Sequence, residues 1–294
     1  MSIFKKDQNG FKGIKRIIEQ FIPPILSEAI KSNSAGESHP KFSTYHEALK
    51  LCTTNAYEEE ELVEVILKKT KHFLDNLSEQ NATITNTNAY SLLSLINPVI
   101  ESKSNHIKVL DFGGACGAHY FQLRNLLDKR LKLSWIVVET PEMVKQAKVL
   151  ETDELSFTSD FESAVSKLGE IDLLHTSGTL QCVEKPYEYL TQIVQTNAKW
   201  ILFNRLGLNK FDRDVITIHS SKLSWNGIGD LPEGYTDRWI RYPFNFPSEL
   251  KFVNKIREHY AITAKFGDKS GMYSVKGEDI VGYGLLCKRH KAEG

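Results

Sequence analysis

The chain has 294 residues, 41% hydrophobic and 25% charged, the composition of an ordinary globular protein long enough for one large α/β domain and an appendage. Lys plus Arg and Asp plus Glu both number 37, so no global field draws the chain to nucleic acid. No apolar stretch approaches ~20 residues and no charged-then-apolar leader opens the chain, so the sequence predicts neither a membrane span nor a signal peptide, and a cytoplasmic location. In chain order, residues 11–26 place Ile14, Ile17, Ile18, Phe21, Ile22 and Ile25 at helical spacing, with Lys12, Lys15 and Arg16 elsewhere on the turn. Pro23 and Pro24 then interrupt. This basic amphipathic helix suits covering the core or a subunit neighbour, with weak docking on a membrane face as the second reading. Residues 32–40, "SNSAGESHP", read as a linker. A helix is predicted within 53–77, where the acidic run Glu58 to Glu61 precedes Lys68, Lys69 and Lys71 as the helix dipole prefers; the run is a helix start with a solvated face. Another follows in "NAYSLLSLINPVIES", and the helical region ends near residue 105.

From there apolar runs alternate with helical ones. Strands are predicted at 107–112, 134–138, 155–157, 171–176 and 199–203, with helices near 118–129, 141–150, 160–168 and 186–196. That rhythm is the βαβ signature of a doubly wound, mostly parallel sheet. After residue 250 come a helix and then "YAITAKFGD" and "IVGYGLLCKR", two strands with no room between them for a crossover helix; they are expected to pair antiparallel. The expected division is a helical region over 1–105 and an α/β domain over 106–290, interrupted at about 207–248. That interruption is rich in aromatics, Gly and Pro, and reads as a lid or substrate-binding insertion. Its Trp225, Tyr235, Trp239 and Tyr242 stack on a sugar or nucleotide, or seal the insertion against the core.

The stretch "KVLDFGGACGAHYF", residues 108–121, carries the chemistry. An apolar run ends in Asp111 and breaks into Gly113, Gly114 and Gly117. In an open α/β sheet the ligand sits outside the carboxyl ends of the strands, and glycines there let backbone approach it closely. A dinucleotide would bring a pyrophosphate against this turn, where Asp111 adds an unfavourable negative charge. S-adenosyl-L-methionine carries a sulfonium and an α-ammonium group, which reverse the sign and turn the carboxylate into an attraction, directly or through water.

These residues resemble the class I, Rossmann-like S-adenosylmethionine-dependent methyltransferases over roughly 106–205, and the final hairpin suits that family's antiparallel last strand. "VLDFGGACG" is similar to the first motif, with Asp111, Gly113, Gly114 and Gly117 in place and Ala115 where the middle glycine usually stands. "IVVETPEMVKQA" looks like the second: the resemblance implies that Glu139 accepts from both ribose hydroxyls and that Met143 packs on adenine. "LSFTSDFES" resembles the third, with Asp160 and Phe161 at the adenine edge. "IDLLHTSGTLQCVEKPYEYL" is similar to the fourth strand and loop, whose Ser177, Gly178, Leu180 and Gln181 reach donor and acceptor. Tyr120 closes over the donor or packs. More narrowly, "LDFGG", the "SG-L-Q" loop, Arg205 and "YHEALKLCTTNAY" resemble bacterial methyltransferases of surface-polysaccharide biosynthesis, which implies a sugar, phosphate-bearing or lipid-linked saccharide acceptor.

Methyl transfer is an in-line displacement that needs alignment and, for a hydroxyl acceptor, a base. His219, in "DRDVITIHSSKL", is the candidate base; His119 and His175 also lie near the ligand edge, His175 inside a strand where a hydrogen-bonded core role competes. Gln181 stands where the family often has histidine and orients substrate or the donor's methionine portion, and Arg205 binds an anionic acceptor or holds the following loop. Cys52, Cys116, Cys182 and Cys287 form no CxxC pair, and the CxxH of Cys116 and His119 has no second ligand pair, so neither a disulfide framework nor a metal is expected. The competing readings are a nicotinamide-dependent oxidoreductase and a non-catalytic cofactor-binding scaffold. Oligomeric state is left open.

Overall fold

The computed structural model describes residues 40–52, 56–76, 86–267 and 274–291. The helix expected over 11–26, with its membrane-facing side, and most of the 32–40 linker lie outside them. The strands, in chain order, are β1 (His106–Phe112), β2 (Lys132–Val138), β3 (Leu155–Thr158), β4 (Leu173–Ser177), β5 (Trp200–Asn209), β6 (Val215–Lys222), β7 (Trp239–Phe246), β8 (Tyr260–Gly267) and β9 (Ile280–Arg289). Seven of them form one sheet in the order β3-β2-β1-β4-β5-β9-β8, while β6 and β7 pair separately. The first five are parallel neighbours, and β9 runs antiparallel to both β5 and β8. The doubly wound sheet with an antiparallel final hairpin is therefore present. Its hairpin is turned inward: the later strand, β9, takes the place beside β5.

Eight helices are described: α1 (Tyr45–Leu49), α2 (Glu60–Asp75), α3 (Asn86–Glu101), α4 (Ala118–Leu126), α5 (Pro141–Ala147), α6 (Phe161–Leu168), α7 (Pro186–Gln195) and α8 (Glu249–Arg257). Because side chains alternate along a strand, the central strands feed two cores. Val109, Trp135 and Leu173 meet Leu62, Leu95, Leu123 and Met143 of α2 to α5 on one face. Leu110, Ile136 and Leu174 meet Leu168, Ile193 and Phe252 of α6 to α8 on the other. Helix starts follow local chemistry. Thr140 caps α5 by accepting from Met143 N, with Pro141 in the first turn, and Asp160 caps α6 by accepting from Ser163 N.

Two expectations change. The acidic run is not simply a solvated face: Arg238 grips both Glu59 and Glu61, fastening the start of α2 to the approach to β7. The 207–248 stretch is not a loop insertion throughout. It opens as the continuation of β5 to Asn209 and then forms the antiparallel β6–β7 pair, against which α1 packs.

Candidate functional site

A cavity of about 990 Å³ lies beyond the carboxyl ends of β1, β2, β4 and β5. Gly113, Gly114, Ala115, Glu139, Thr140, Ser177, Gly178 and Thr179 form its floor, and β6–β7 side chains with Tyr45, His46, Leu49, Tyr57 and Glu58 form its roof. Parallel packing makes this place: β1 and β4 are neighbours in the sheet but not in sequence, and the chain diverges from that crevice.

Glu139 is the most firmly held carboxylate on the cavity wall. Its Oε1 accepts from Ala115 N at 3.0 Å and its Oε2 from Thr140 N at 2.9 Å, which leaves lone pairs on both oxygens facing the cavity. Burial pushes its pKa up, an effect the two backbone N–H donors partly offset and the Asp111 charge reinforces. Ala115 adopts φ 49°, a left-handed conformation that the missing middle glycine would have taken freely. The loop keeps its glycine-type course with an alanine in it, at about 1 kcal/mol of strain.

Asp111 is placed differently from the expectation of direct or water-mediated attraction. It is fully buried behind Gly114, whose missing side chain leaves the room the carboxylate occupies. Its Oδ1 accepts from His175 Nδ1 at 2.9 Å, and its Oδ2 from His119 Nδ1 and Trp135 Nε1, both at 3.3 Å. Burial resists ionisation, but the two histidines outweigh it and hold the carboxyl well below the usual carboxylate range. His175, also fully buried, meets Ser91 Oγ through Nε2 at 2.8 Å; burial pushes its pKa down against the pull of Asp111. His175 is thus a fully buried, hydrogen-bonded core histidine that does not line the cavity. The ligand atoms of Asp111, His119 and His175 lie within 4.8 Å of one another, a metal-like spacing that these hydrogen bonds account for without an ion. Cys116 takes no part, its Sγ lying 3.5 Å from Met143 Sδ.

Of the other expected donor contacts, Gly113, Gly114, Ser177 and Gly178 line the cavity, while Gly117, Tyr120, Met143, Asp160, Phe161 and Leu180 do not. Gly117, at φ 78°, starts α4 and packs against Leu155 and Phe157. Tyr120 is buried with its hydroxyl on Glu154, which leaves it no route to close over a ligand. Met143 is fully buried under α5. Asp160 is an exposed helix cap, Phe161 packs edge-on to Phe112, and Leu180 belongs to the second core.

Of the residues expected on the acceptor side, Arg205 and His219 line the cavity. A register shift in the β5–β9 ladder between Phe203 and Leu206 puts Arg205 at φ 50° and points its side chain out of the sheet. Its Nε donates to Ser177 Oγ at 3.0 Å and its Nη2 to Ser177 O at 2.8 Å. Gln181, 1% exposed, supports that backbone by donating from Nε2 to Arg205 O at 2.5 Å, so it positions Arg205 and has no contact with the cavity. His219 lies across the β6–β7 pair, its ring 5.4 Å from Tyr242 and 5.1 Å from Phe244. Trp225 also lines the roof, while Trp239 packs on it and Tyr235 is bonded to Lys68.

Sequence reasoning missed the contribution of Tyr45 and Tyr57. Tyr45 donates to Cys182 O at 2.8 Å, Tyr57 to Asn226 Oδ1 at 3.3 Å, and Thr140 to Tyr57 O at 3.0 Å, so these two tyrosines tie the sheet edge to the roof. The paired tyrosines in "YHEALKLCTTNAY" were the available signal.

No family model and no curated protein matches the chain. Solved structures do resemble it. An S-adenosylmethionine-dependent methyltransferase from Clostridium acetobutylicum is 14% identical, over 75% of this chain and 98% of that one, with a TM-score of 0.40. The 1,6-didemethyltoxoflavin-N1-methyltransferase of Burkholderia thailandensis, with S-adenosylhomocysteine bound, is 12% identical over 86% and 92% at 0.41. A SAM-bound amino pentose methyltransferase from Micromonospora echinaspora is 8% identical over 75% and 97% at 0.43. At such identities function has to come from the site itself.

Proposed function

We propose that the protein is an S-adenosyl-L-methionine-dependent methyltransferase acting on a hydroxyl of a sugar, phosphate-bearing or lipid-linked saccharide in bacterial surface-polysaccharide assembly. The observation that carries the donor assignment is Glu139: a carboxylate at the end of β2, fixed by two backbone N–H groups beside a bare-backbone loop, is shaped to accept from a ribose diol. The residues fit a cationic donor. The cavity wall around Gly113 to Thr140 holds Glu139 and no lysine or arginine, with Asp111 just behind Gly114, a poor seat for a pyrophosphate and a favourable one for a sulfonium. This weighs against a nicotinamide dinucleotide.

When bound, the donor supplies a methyl group already activated on sulfur. The chain's own residues then have to orient an acceptor and take its proton. Arg205, braced by Ser177 and Gln181, presents its remaining guanidinium edge to acceptor oxygens. His219, held between aromatic rings on the roof, takes the hydroxyl proton. Tyr57, Trp225 and Tyr242 give the apolar and stacking surface a sugar ring needs.

The test is a thermal-shift comparison of S-adenosylhomocysteine, S-adenosylmethionine and NAD. A ligand at about a hundred times its dissociation constant adds ~2.7 kcal/mol to native stability, readable as a shift of several degrees. Stabilisation by the two adenosyl sulfur compounds alone supports the donor site; a shift with NAD only sinks it. Transfer of labelled methyl to sugar and sugar-phosphate acceptors tests the second half.

A further inference from the structure

The buried Asp111 raises the question of what its charge acts on, because the carboxylate has no face on the cavity. Its hydrogen bonds answer it. A carboxylate only accepts, so His119 must carry its proton on Nδ1, the atom 3.3 Å from Asp111 Oδ2. In the neutral ring Nε2 is then left with its lone pair. His119 is 14% exposed and lines the cavity, and its Nε2 has no partner among the described residues. The two other donors to Asp111 are committed elsewhere: His175 spans from Asp111 to Ser91, and Trp135 is fully buried. His119 is therefore the one member of this set that faces the ligand.

We propose that His119, and not Asp111, meets the amino-acid end of the methyl donor: His119 Nε2 accepts a hydrogen bond from the donor's α-ammonium while Asp111 fixes the ring in the accepting tautomer. The inference rests on the donor reading given above and assigns one more atom within it. Position supports it. The His119 ring lies 4.5 Å from that of His175 on β4, whereas Glu139 follows β2. Both line the same cavity, Glu139 beyond β2 and His119 held by Asp111 of β1 against His175 of β4. One ligand in that cavity can offer ribose hydroxyls to the first and an amino group to the second. Charge supports it too. The Asp111 carboxylate stands behind the imidazole, so the side of the ring that faces the cavity is backed by a negative charge, which favours a cationic group there.

5′-Methylthioadenosine separates this contact from the rest of the site, since it keeps the adenosine and the sulfur of S-adenosylhomocysteine but lacks the amino-acid end. Calorimetric affinities of the full chain for both compounds would be compared in wild type, His119→Ala and His119→Gln. His119→Ala is expected to weaken S-adenosylhomocysteine by roughly ten- to a hundredfold, the scale of one charge-assisted hydrogen bond, and to leave 5′-methylthioadenosine unchanged. His119→Gln, which keeps an acceptor oxygen near the Nε2 position, is expected to recover most of the loss. Equal losses for the two compounds would make His119 a structural residue and overturn the proposal, as would undiminished binding of S-adenosylhomocysteine by His119→Ala. A wild-type protein that binds neither compound would instead fail the donor reading itself and take this proposal with it.

Discussion

Asp111→Asn changes one buried atom and leaves the shape almost untouched. Asp111 takes three N–H donors, from His175, His119 and Trp135, at full burial. An amide has one accepting oxygen, so its NH₂ must face either His175 or the His119–Trp135 pair, leaving one or two buried donors opposed. At about 1–3 kcal/mol for each buried donor left unpaired, the substitution should cost roughly 2–4 kcal/mol at neutral pH. For a chain of this size that lowers Tm by about 3–7 °C. The pH dependence is a second constraint. Asp111 and His175 both titrate lower in the native protein than in the unfolded chain, so on acidification the unfolded chain binds protons that the native state refuses. Their contribution is complete above about pH 6.5, declines first through His175, and declines again below about pH 4 through Asp111. Urea unfolding of wild type and Asp111→Asn from pH 7 to pH 3.5 should show a gap that narrows at the acid end. Identical midpoints at pH 7, or a gap that stays constant to pH 3.5, would refute the network as the source of the stability. On the sequence alone, replacing Asp111 looks like a binding lesion in an intact fold; in the structure it is first a lesion in the core.

Glu139→Gln should weaken S-adenosylhomocysteine and 5′-methylthioadenosine alike, by roughly tenfold or more, because it withdraws an acceptor from the ribose side. In wild type, whose Glu139 pKa is raised by burial, affinity should also decline as pH falls into the carboxylate range; calorimetry from pH 8 to pH 5 checks both. Arg205→Met should abolish methyl transfer to an anionic acceptor while donor affinity stays within twofold, and parallel loss of donor binding would place Arg205 elsewhere. Lys69 is 2% exposed, donates to the carbonyls of Ser224 and Asn226, and has its pKa pushed down to about 8 by burial. Lys69→Met strands both carbonyls and should cost roughly 2–4 kcal/mol in urea unfolding.

The parallel strands β1, β2, β4 and β5 were legible because each carries a short apolar run buried on both faces; β3, at the sheet's edge, shows instead the alternation of a half-buried strand. The roof was not. β7 reads "WIRYPFNF", and Pro243 argues against a strand; as half of a two-stranded sheet it needs only one ladder side, so a missing N–H there is tolerated. Glu139 was recognisable because its partners, Ala115 and Thr140, lie in motifs read for the same purpose. Asp111 was recognisable as a carboxylate at a strand end, but not in its aim. That is decided by the β1–β4 register, which sets Asp111 opposite His175, and by the turn of α4, which brings in His119. Both are tertiary facts. The same limit applies to Gln181, whose buried bond to Arg205 depends on the register shift in β5 between Phe203 and Leu206, which no periodicity shows.

The place of β9 between β5 and β8 has a consequence for biosynthesis. Both neighbours precede it in the chain, and β5 is complete some seventy residues before β9 begins. As the chain leaves the ribosome, at about 5–20 residues per second, β5 stands with an open edge for several seconds and β8 for a shorter time. An unpaired hydrophobic edge recruits other strands. The protein's yield in a cell is thus set in part by how long that slot stays vacant, and a nascent chain stalled before residue 280 should be a chaperone client and prone to aggregate, however well its cofactor-side strands have folded.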